Sequence, residues 1–129
     1  MDTEQALRVD TEQVLRGVMD RWKSGIDDQD PEQVAAVFTE DAIFQGLHPY
    51  TVGRKGVADY YAGQAPGMTV AYRILETRRP AADLALGYLD ADFTFPDRPT
   101  VSIYLGVLIT GGDDGWSIAF YEASQLDRF

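Results

Sequence analysis

Cysteine is absent from the 129 residues of the sequence. This absence excludes disulfides, thiolate metal sites and cysteine nucleophiles. Basic residues are also few, because 11 Lys and Arg stand against 21 Asp and Glu, which gives a formal net charge of −10. Since nucleic-acid affinity depends largely on Lys and Arg that neutralise phosphates, we expect no nucleic-acid partner.

Long apolar runs are missing as well. The longest strongly apolar stretch, residues 101–109, is far shorter than the ~20 residues of a membrane-spanning helix. The first residues, Met-Asp-Thr-Glu-Gln, have neither the basic nor the apolar segment of a signal peptide. These features predict a cytoplasmic protein that does not enter a membrane.

Apolar residues make up 45% of the chain and occur along its whole length, which indicates a folded protein rather than a disordered one. The length suits a single domain over residues 1–129, because two domains of about 65 residues would each bury too little surface. Apolar residues at helical spacing predict a first helix over residues 11–26, which Asp10 and Gln13 cap. The preceding residues 1–10 contain one copy of a near-repeat, and we interpret them as a helical extension prone to fraying.

Two further helices and one short strand complete the predicted first half. Asp30 and Pro31 are typical of a helix start, since Asp caps the helix and Pro suits its first position. A third helix is predicted over residues 54–64, a strand over residues 42–44 and a loop over residues 46–53.

The second half of the sequence predicts an antiparallel meander. Long runs rich in β-branched and aromatic residues alternate with turn residues. The predicted strands are residues 68–78, 84–95, 100–110 and 116–126, and the turns lie at Asp83, 96–99 and 111–115. Helices followed by consecutive strands predict an α+β fold with the helices on one face of the sheet.

Several short motifs in this order resemble the nuclear transport factor 2-like superfamily. They are Val18-Met-Asp-Arg-Trp22, Asp30-Pro-Glu-Gln-Val34, Phe38-Thr-Glu-Asp-Ala42, Gly53-Arg-Lys-Gly56 with Tyr60-Tyr61, and Gly115-Trp-Ser-Ile118. Within the superfamily the chain is similar to SnoaL-like polyketide cyclases, ketosteroid isomerases and small proteins encoded with enediyne and other polyketide pathways. The resemblance, over residues 11–126, implies a cone-shaped barrel of three N-terminal helices on a curved, mostly antiparallel sheet, with a deep apolar cavity. It also implies a homodimer packed through the sheet.

The chain departs from ketosteroid isomerases at three places where the resemblance locates their catalytic groups. The position of the general-base Asp falls in Phe44-Gln45-Gly46, and the first oxyanion-hole Tyr aligns with Trp22. The second oxyanion donor aligns near Leu105-Gly106-Val107. The resemblance therefore does not imply steroid isomerisation.

Four residues are candidates for acid–base chemistry. Strand alternation places Asp90 and Asp92 on one face, and the superfamily alignment turns that face inward. Two neighbouring buried carboxylates would form an acid–base pair near neutral pH, whereas a twist or bulge would turn both to solvent. Glu122 is the acid of the predicted last strand, whose inward face is undetermined. His48, the single histidine, lies at the expected cavity mouth, and histidine is the residue type that most often serves as an acid or base near neutral pH. The alternative is a solvated side chain, which is usual for a lone histidine in a loop.

Aromatic residues form the candidate ligand site, because their rigid apolar faces with one polar group suit a planar ligand. Its expected members are Trp22, Phe44, Tyr61, Tyr72, Tyr88 and Tyr104. The alternative is that most of them fill an ordinary core. The chain lacks Walker, Rossmann and nucleophile-elbow motifs as well as recognisable metal-ligand spacing, so we predict no cofactor and no metal.

Three functions remain open at this point. The first is a cofactor-free enzyme of polyketide or related secondary metabolism that promotes cyclisation, isomerisation or hydration of a hydrophobic, conjugated ligand. The second is a carrier that protects a reactive intermediate, and the third is a non-catalytic dimerisation module. A homodimer is also predicted from the residues themselves, because both faces of residues 102–109 are apolar.

Overall fold

The computed structural model describes residues 2–112 and 114–125 of the chain. In chain order the elements are α1 (Thr3–Asp27), α2 (Pro31–Ala35), β1 (Phe38–Gln45), β2 (Thr51–Val52), α3 (Arg54–Ala62), β3 (Thr69–Ala81), β4 (Leu84–Phe95), β5 (Arg98–Gly112) and β6 (Gly115–Gln125). The predicted α+β class is confirmed. Asp113 in the last predicted turn and Leu126 at the predicted end of the last strand lie outside the described residues.

All six strands form one mixed sheet in the order β2-β1-β6-β5-β4-β3. The predicted meander is confirmed, since β3, β4, β5 and β6 pair antiparallel with their neighbours in turn. β1 pairs antiparallel with β2 and parallel with β6. The parallel pairing brings the predicted short strand beside the last one, and this long-range contact was not predicted.

Helix α1 is continuous from Thr3, so the residues predicted as a helical extension belong to the same helix as residues 11–26. Its N-cap is Asp2, whose Oδ1 accepts a hydrogen bond from the backbone N–H of Gln5 at 2.7 Å. Asp10 lies inside the helix and pairs with Arg79 at 3.1 Å, so the predicted cap at Asp10 is wrong. The helix formers between the two aspartates and the better-placed cap at Asp2 explain the difference. Residues 2–10 are exposed, and burial begins at Thr11.

The bounds of other helices and strands also differ from the predicted ones. Asp30 caps α2 as predicted, accepting from Gln33 N–H at 3.1 Å, but this helix ends at Ala35. The predicted strand 42–44 is the central part of the longer β1, and β2 lies inside the predicted loop 46–53. β1 is longer than the predicted apolar segment because it also pairs with β6, a tertiary contact that the local sequence does not indicate.

Helix α1 packs on the inner face of the sheet. On β4 the buried side chains are Ala85, Leu89, Ala91 and Phe93, with the buried Gly87 between them. A Cβ at Gly87 would lie 2.4 Å from a methyl group of Leu15, so a larger residue here would require the buried Leu15 side chain to move. Small residues on β4 therefore select the face that receives the helix.

The C-terminal end of α1 is tied to β3, which is an edge strand. The N–H of Val70 donates to Asp27 Oδ1 at 3.0 Å, and its carbonyl accepts from Lys23 Nζ at 2.5 Å. Lys23 and Asp27 also pair with each other at 2.6 Å. These bonds occupy strand-edge groups that would otherwise be open to another chain, and they fix α1 over the aromatic interior.

Within the described residues, no helix combines the length and the apolarity that are needed to cross a bilayer.

Candidate functional site

An aromatic cluster fills the space between α1 and the sheet. Trp22 lies at its centre with 0% of its surface exposed, so its indole faces the interior. Its ring meets Phe93 edge-on at 6.0 Å and lies 6.0 Å from Tyr121. Tyr121 stacks on Phe44 at 4.8 Å, and Phe44 lies 5.8 Å from Tyr61. Aromatic side chains therefore occupy the region where the resemblance implies a deep cavity.

Three polar groups of this cluster form a hydrogen-bonded chain. The indole Nε1–H of Trp22 donates to the hydroxyl of Tyr61 at 3.1 Å. The hydroxyls of Tyr61 and Tyr121 are hydrogen-bonded at 3.4 Å. Residues from α1, α3 and β6 supply one group each. We call these three residues the interior chain.

The interior chain has more hydrogens to donate than oxygens to accept them. Trp22 only donates, and each tyrosine carries one hydrogen on one oxygen. Whichever tyrosine donates in the bond between Tyr61 and Tyr121, the hydroxyl hydrogen of the other has no acceptor among the described residues. A buried donor without a partner is costly. This hydroxyl can therefore donate to an oxygen brought in from outside.

Burial keeps both hydroxyls of the interior chain neutral. Desolvation raises the pKa of Tyr61 well above the ordinary tyrosine value, although the hydrogen bonds with Tyr121 and Trp22 oppose the shift. Desolvation also raises the pKa of Tyr121, and the neighbouring Tyr61 adds to the effect. The interior chain thus offers a neutral O–H donor rather than a base.

A pocket of about 130 Å³ borders Tyr61 where α1, α2 and α3 meet. Its lining residues are Ile26, Gln29, Asp30, Pro31, Tyr61, Ala62, Gln64, Ala65 and Met68. We call it the Tyr61 pocket. Its walls combine apolar side chains with a few polar groups, which is the usual make-up of a small-molecule site.

Gln29 holds one wall of the Tyr61 pocket in place. Its Nε2 donates to the carbonyls of Ile26 at 3.0 Å and Met68 at 2.6 Å, and its Oε1 accepts from Gly67 N–H at 2.9 Å. The backbone of Gln29 has φ of 57°, a left-handed conformation that is uncommon for a residue other than glycine. These bonds join the end of α1 to the segment before β3 and hold that conformation.

The predicted inward orientation of Asp90 and Asp92 is wrong. Both lie on the outer face of the sheet, opposite the face that α1 covers. Asp90 forms a bidentate pair with Arg73 at 2.5 and 3.2 Å, and Asp92 accepts from Ser102 Oγ at 2.6 Å. The predicted alternation along β4 is correct, since Asp90 and Asp92 share one face. The opposite face, which carries the small residues, packs against α1, so the two aspartates point outward.

The other two acid–base candidates also lie away from the interior chain. Glu122 is exposed on the outer face of β6, opposite Gly106. His48 is exposed in the segment between β1 and β2, and its ring lies 5.7 Å from that of Tyr60. The structure does not bring the four candidates together. Among the described residues, no group of three or more His, Asp or Glu side chains converges as a metal site would require.

The predicted ligand residues divide between the two faces of the sheet. Trp22, Phe44 and Tyr61 are buried inside. Tyr72 is half-buried beside Trp22, and its hydroxyl donates to Asp20 Oδ1 at 2.5 Å. Tyr88 and Tyr104 stack on each other at 5.6 Å on the outer face, so their expected place in the cavity wall is wrong.

Two residues of the site were not among the predicted ligand residues. The strand pattern left the inward face of β6 undetermined, and a register shift next to Ile109 sets Tyr121 inward. Gln29 lies in a polar segment whose composition indicates only a turn. Its role follows from bonds to backbone groups that are distant in sequence.

Comparisons with known proteins give structural likenesses only. No family model and no curated protein matches the chain. A cystatin-like domain of unknown function from Nostoc punctiforme PCC 73102 superposes with a TM-score of 0.79 at 20% identity, covering 92% of this chain and 79% of that one. A ketosteroid isomerase-like protein from Erwinia carotovora atroseptica SCRI1043 gives 0.75 at 21% identity, covering 90% and 96%.

A third solved structure agrees with the first two. A nuclear transport factor 2-like protein of unknown function from Shewanella oneidensis MR-1 gives a TM-score of 0.77 at 13% identity, covering 88% of this chain and 98% of that one. Sequence identities this low show the fold alone, and function must be argued from the site. The chain therefore adopts the nuclear transport factor 2-like, or cystatin-like, α+β fold.

Proposed function

We propose that this protein is a non-catalytic binding protein whose interior chain donates a hydrogen bond to an oxygen atom of a small ligand. The observation that carries the proposal is the surplus hydroxyl hydrogen shared by Tyr61 and Tyr121. A core needs no such group, since apolar residues of similar shape would avoid the unpaired donor. Tyr61 is also one of the residues that line the Tyr61 pocket.

The placement of the predicted acids favours binding over proton transfer. Asp90 and Asp92 are engaged with Arg73 and Ser102 on the outer face, and Glu122 is exposed on the same face. A general acid or base must come within hydrogen-bond reach of the group it serves. The interior offers neutral hydroxyls, which orient a ligand and protect it but do not exchange its protons readily near neutral pH.

The resemblance to SnoaL-like and enediyne-pathway proteins supports a ligand from polyketide or related secondary metabolism. The aromatic interior supports a hydrophobic ligand, because Trp22, Phe44 and Tyr61 present flat apolar faces. A multi-ring polyketide exceeds the about 130 Å³ of the Tyr61 pocket. Binding one requires the rings of the interior cluster to separate.

The test uses a library of neutral compounds with one or two rings, titrated while the Trp22 indole N–H signal is followed by NMR. We expect some members to shift this signal and to bind about tenfold more weakly to the double variant Tyr61→Phe/Tyr121→Phe, which lacks both hydroxyl hydrogens. Tyr50→Phe is the matched control, because Tyr50 is 65% exposed. If no compound shifts the signal, the binding proposal is overturned. If a bound compound is recovered chemically changed, the non-catalytic part is overturned.

We also propose that the protein is a homodimer formed through the outer face of the sheet. An apolar row crosses this face, since Leu86, Leu108, Phe120, Ile43 and Val52 are successive partners on β4, β5, β6, β1 and β2. Leu86, Ile43 and Val52 are 41%, 44% and 61% exposed. A continuous apolar row of this kind is typical of a surface that another chain covers.

A further inference from the structure

Gln29 occupies a position where glycine is the usual residue. Helix α1 ends in a Schellman motif, because the N–H of Gln29 donates to the carbonyl of Ile26 and the N–H of Asp30 donates to the carbonyl of Gly25, both at 3.0 Å. This motif requires a left-handed residue, and Gln29 supplies it with a φ of 57°. A glutamine here therefore carries backbone strain that glycine would avoid.

The side chain of Gln29 holds the segment that connects α3 to β3. Residues 63–67 of this segment form neither helix nor strand, and we call them the lid. The N–H of Gly67 donates to Gln29 Oε1 at 2.9 Å, and the carbonyl of the next residue, Met68, accepts from Gln29 Nε2 at 2.6 Å. Among the described residues, the remaining hydrogen bonds of the lid run back to α3. Gln29 thus provides the hydrogen bonds between the lid and the end of α1.

The lid and Gln29 belong to the two segments that line the Tyr61 pocket. Gln64 and Ala65 of the lid lie on this lining together with Met68, which is only 5% exposed. Gln29 and Asp30 come from the segment that joins α1 to α2. The two bonds from Gln29 therefore keep the two segments together, and their loss would allow the pocket to widen.

We infer that residues 63–67 are a movable lid of the Tyr61 pocket and that the Gln29 side chain is its latch. Hydrogen bonds contribute little net free energy in water, so two of them can be released and formed again without unfolding the protein. This inference rests on the proposed binding function, because it supplies the route by which a ligand enters.

Two buried methionines distinguish opening of the lid from unfolding of the protein. Met68 lies at the end of the lid, whereas Met19 is 0% exposed under α1. Hydrogen peroxide oxidises a methionine thioether that solvent reaches, and mass spectrometry measures both rates in one sample. We expect Met68 to be oxidised faster than Met19 in the unmodified protein, because Met19 becomes accessible only when the core opens.

Gln29→Gly removes the latch and relieves the backbone strain together. We expect Met68 to be oxidised about tenfold faster in this variant, because the bonds that hold the lid are lost. Met19 should keep its rate, since glycine is preferred at this position of the Schellman motif. Gln64→Ala is the matched control, because it removes a glutamine of the same pocket whose amide donates to the carbonyl of Tyr60 in α3. It should leave the oxidation rate of Met68 unchanged.

The outcomes separate the lid from the binding function. Equal acceleration of Met68 and Met19 in Gln29→Gly would show that Gln29 only stabilises the fold. Equal Met68 rates in Gln29→Gly and Gln64→Ala would show that Gln29 is no latch, so either result overturns the inference. If a compound of the library still shifts the Trp22 signal, the binding function stands without the lid. If the lid opens as expected and no compound shifts that signal, the binding function falls and the lid stands.

Discussion

Trp22 connects α1 and α3 to the sheet. It is fully buried, donates to Tyr61 of α3 and contacts Tyr121 of β6 and Phe93 of β4. Its removal would leave a large cavity and would also take one of the two hydrogen bonds from the Tyr61 hydroxyl. The energetic consequence can be measured without knowledge of the ligand.

We expect Trp22→Ala to lower the free energy of unfolding by about 3–5 kcal/mol, because a large aromatic side chain leaves the core. Denaturant titration followed by circular dichroism measures the loss. Trp22→Phe, which keeps most of the ring but loses the N–H, should cost less. Tyr50→Ala, at an exposed position, is the control. A loss below about 0.5 kcal/mol for Trp22→Ala, typical of a surface site, would contradict its central role.

The two buried hydroxyls also predict how stability depends on pH. Burial raises the pKa of Tyr61 and Tyr121 in the folded state above the value of 10.0 expected in the unfolded chain. Below pH 10 both states keep these protons, so the tyrosines do not change stability. Above pH 10 the unfolded chain loses them first, and stability falls by about 1.4 kcal/mol per pH unit for each tyrosine.

Tyr121→Phe isolates this effect from the other groups that titrate at high pH. Its unfolding free energy should fall less steeply above pH 10 than that of the unmodified protein, by about 1.4 kcal/mol per pH unit. Tyr50→Phe, at an exposed position, should keep the steep decline. The measurement is urea unfolding at a series of pH values. Equal slopes for all three proteins would show that the hydroxyl of Tyr121 is not buried.

At the scale of single elements, the sequence was most informative for β4. Its predicted bounds, residues 84–95, agree with the structure, because its alternation and flanking turns are local signals. The side of the sheet that this strand turns inward depends on the contact of Gly87 with Leu15 of α1. Alternation along one strand fixes which residues share a face but does not identify the face. The superfamily alignment that turned Asp90 and Asp92 inward identified the wrong one.

The hydrogen-bonded part of the site could not be predicted from local sequence patterns either, because it depends on how distant strands pair. The aromatic residues of the interior could be named in advance, and Trp22, Phe44 and Tyr61 lie there. The hydrogen bond between Tyr61 and Tyr121 requires the register of β6 beside β5, which a shift next to Ile109 sets. Such a shift has no clear signature in the sequence.

Gly87 offers a test of the contact between α1 and β4. A Cβ there would lie 2.4 Å from Leu15, whereas a Cβ at Gly106 on β5 would have no heavy atom within 4 Å. We expect Gly87→Ala to lower the unfolding free energy by about 1–3 kcal/mol, because the fully buried Leu15 side chain must move within a packed core. Gly106→Ala is the matched control and should be neutral or slightly stabilising. Equal effects in denaturant titrations would contradict the observed face of β4.

Among the described residues, no helix covers the outer face of the sheet. This face carries the apolar row of Leu86, Leu108, Phe120, Ile43 and Val52. Two copies with a formal charge of −10 each repel one another at long range. Apolar contact along the row must therefore exceed this repulsion in a dimer. Added salt screens the repulsion, so it should strengthen the association.

Sedimentation at micromolar concentration should give twice the 14.3 kDa mass of one chain. Leu86→Lys should dissociate the dimer, because it places a charge in the apolar row. The same substitution makes the net charge of each chain less negative, so added long-range repulsion cannot explain the dissociation. Leu75→Lys is the matched control: Leu75 is 39% exposed but lies on β3, outside the row. A species of 14.3 kDa for the unmodified protein, or equal dissociation of both variants, would show that this row does not join two copies.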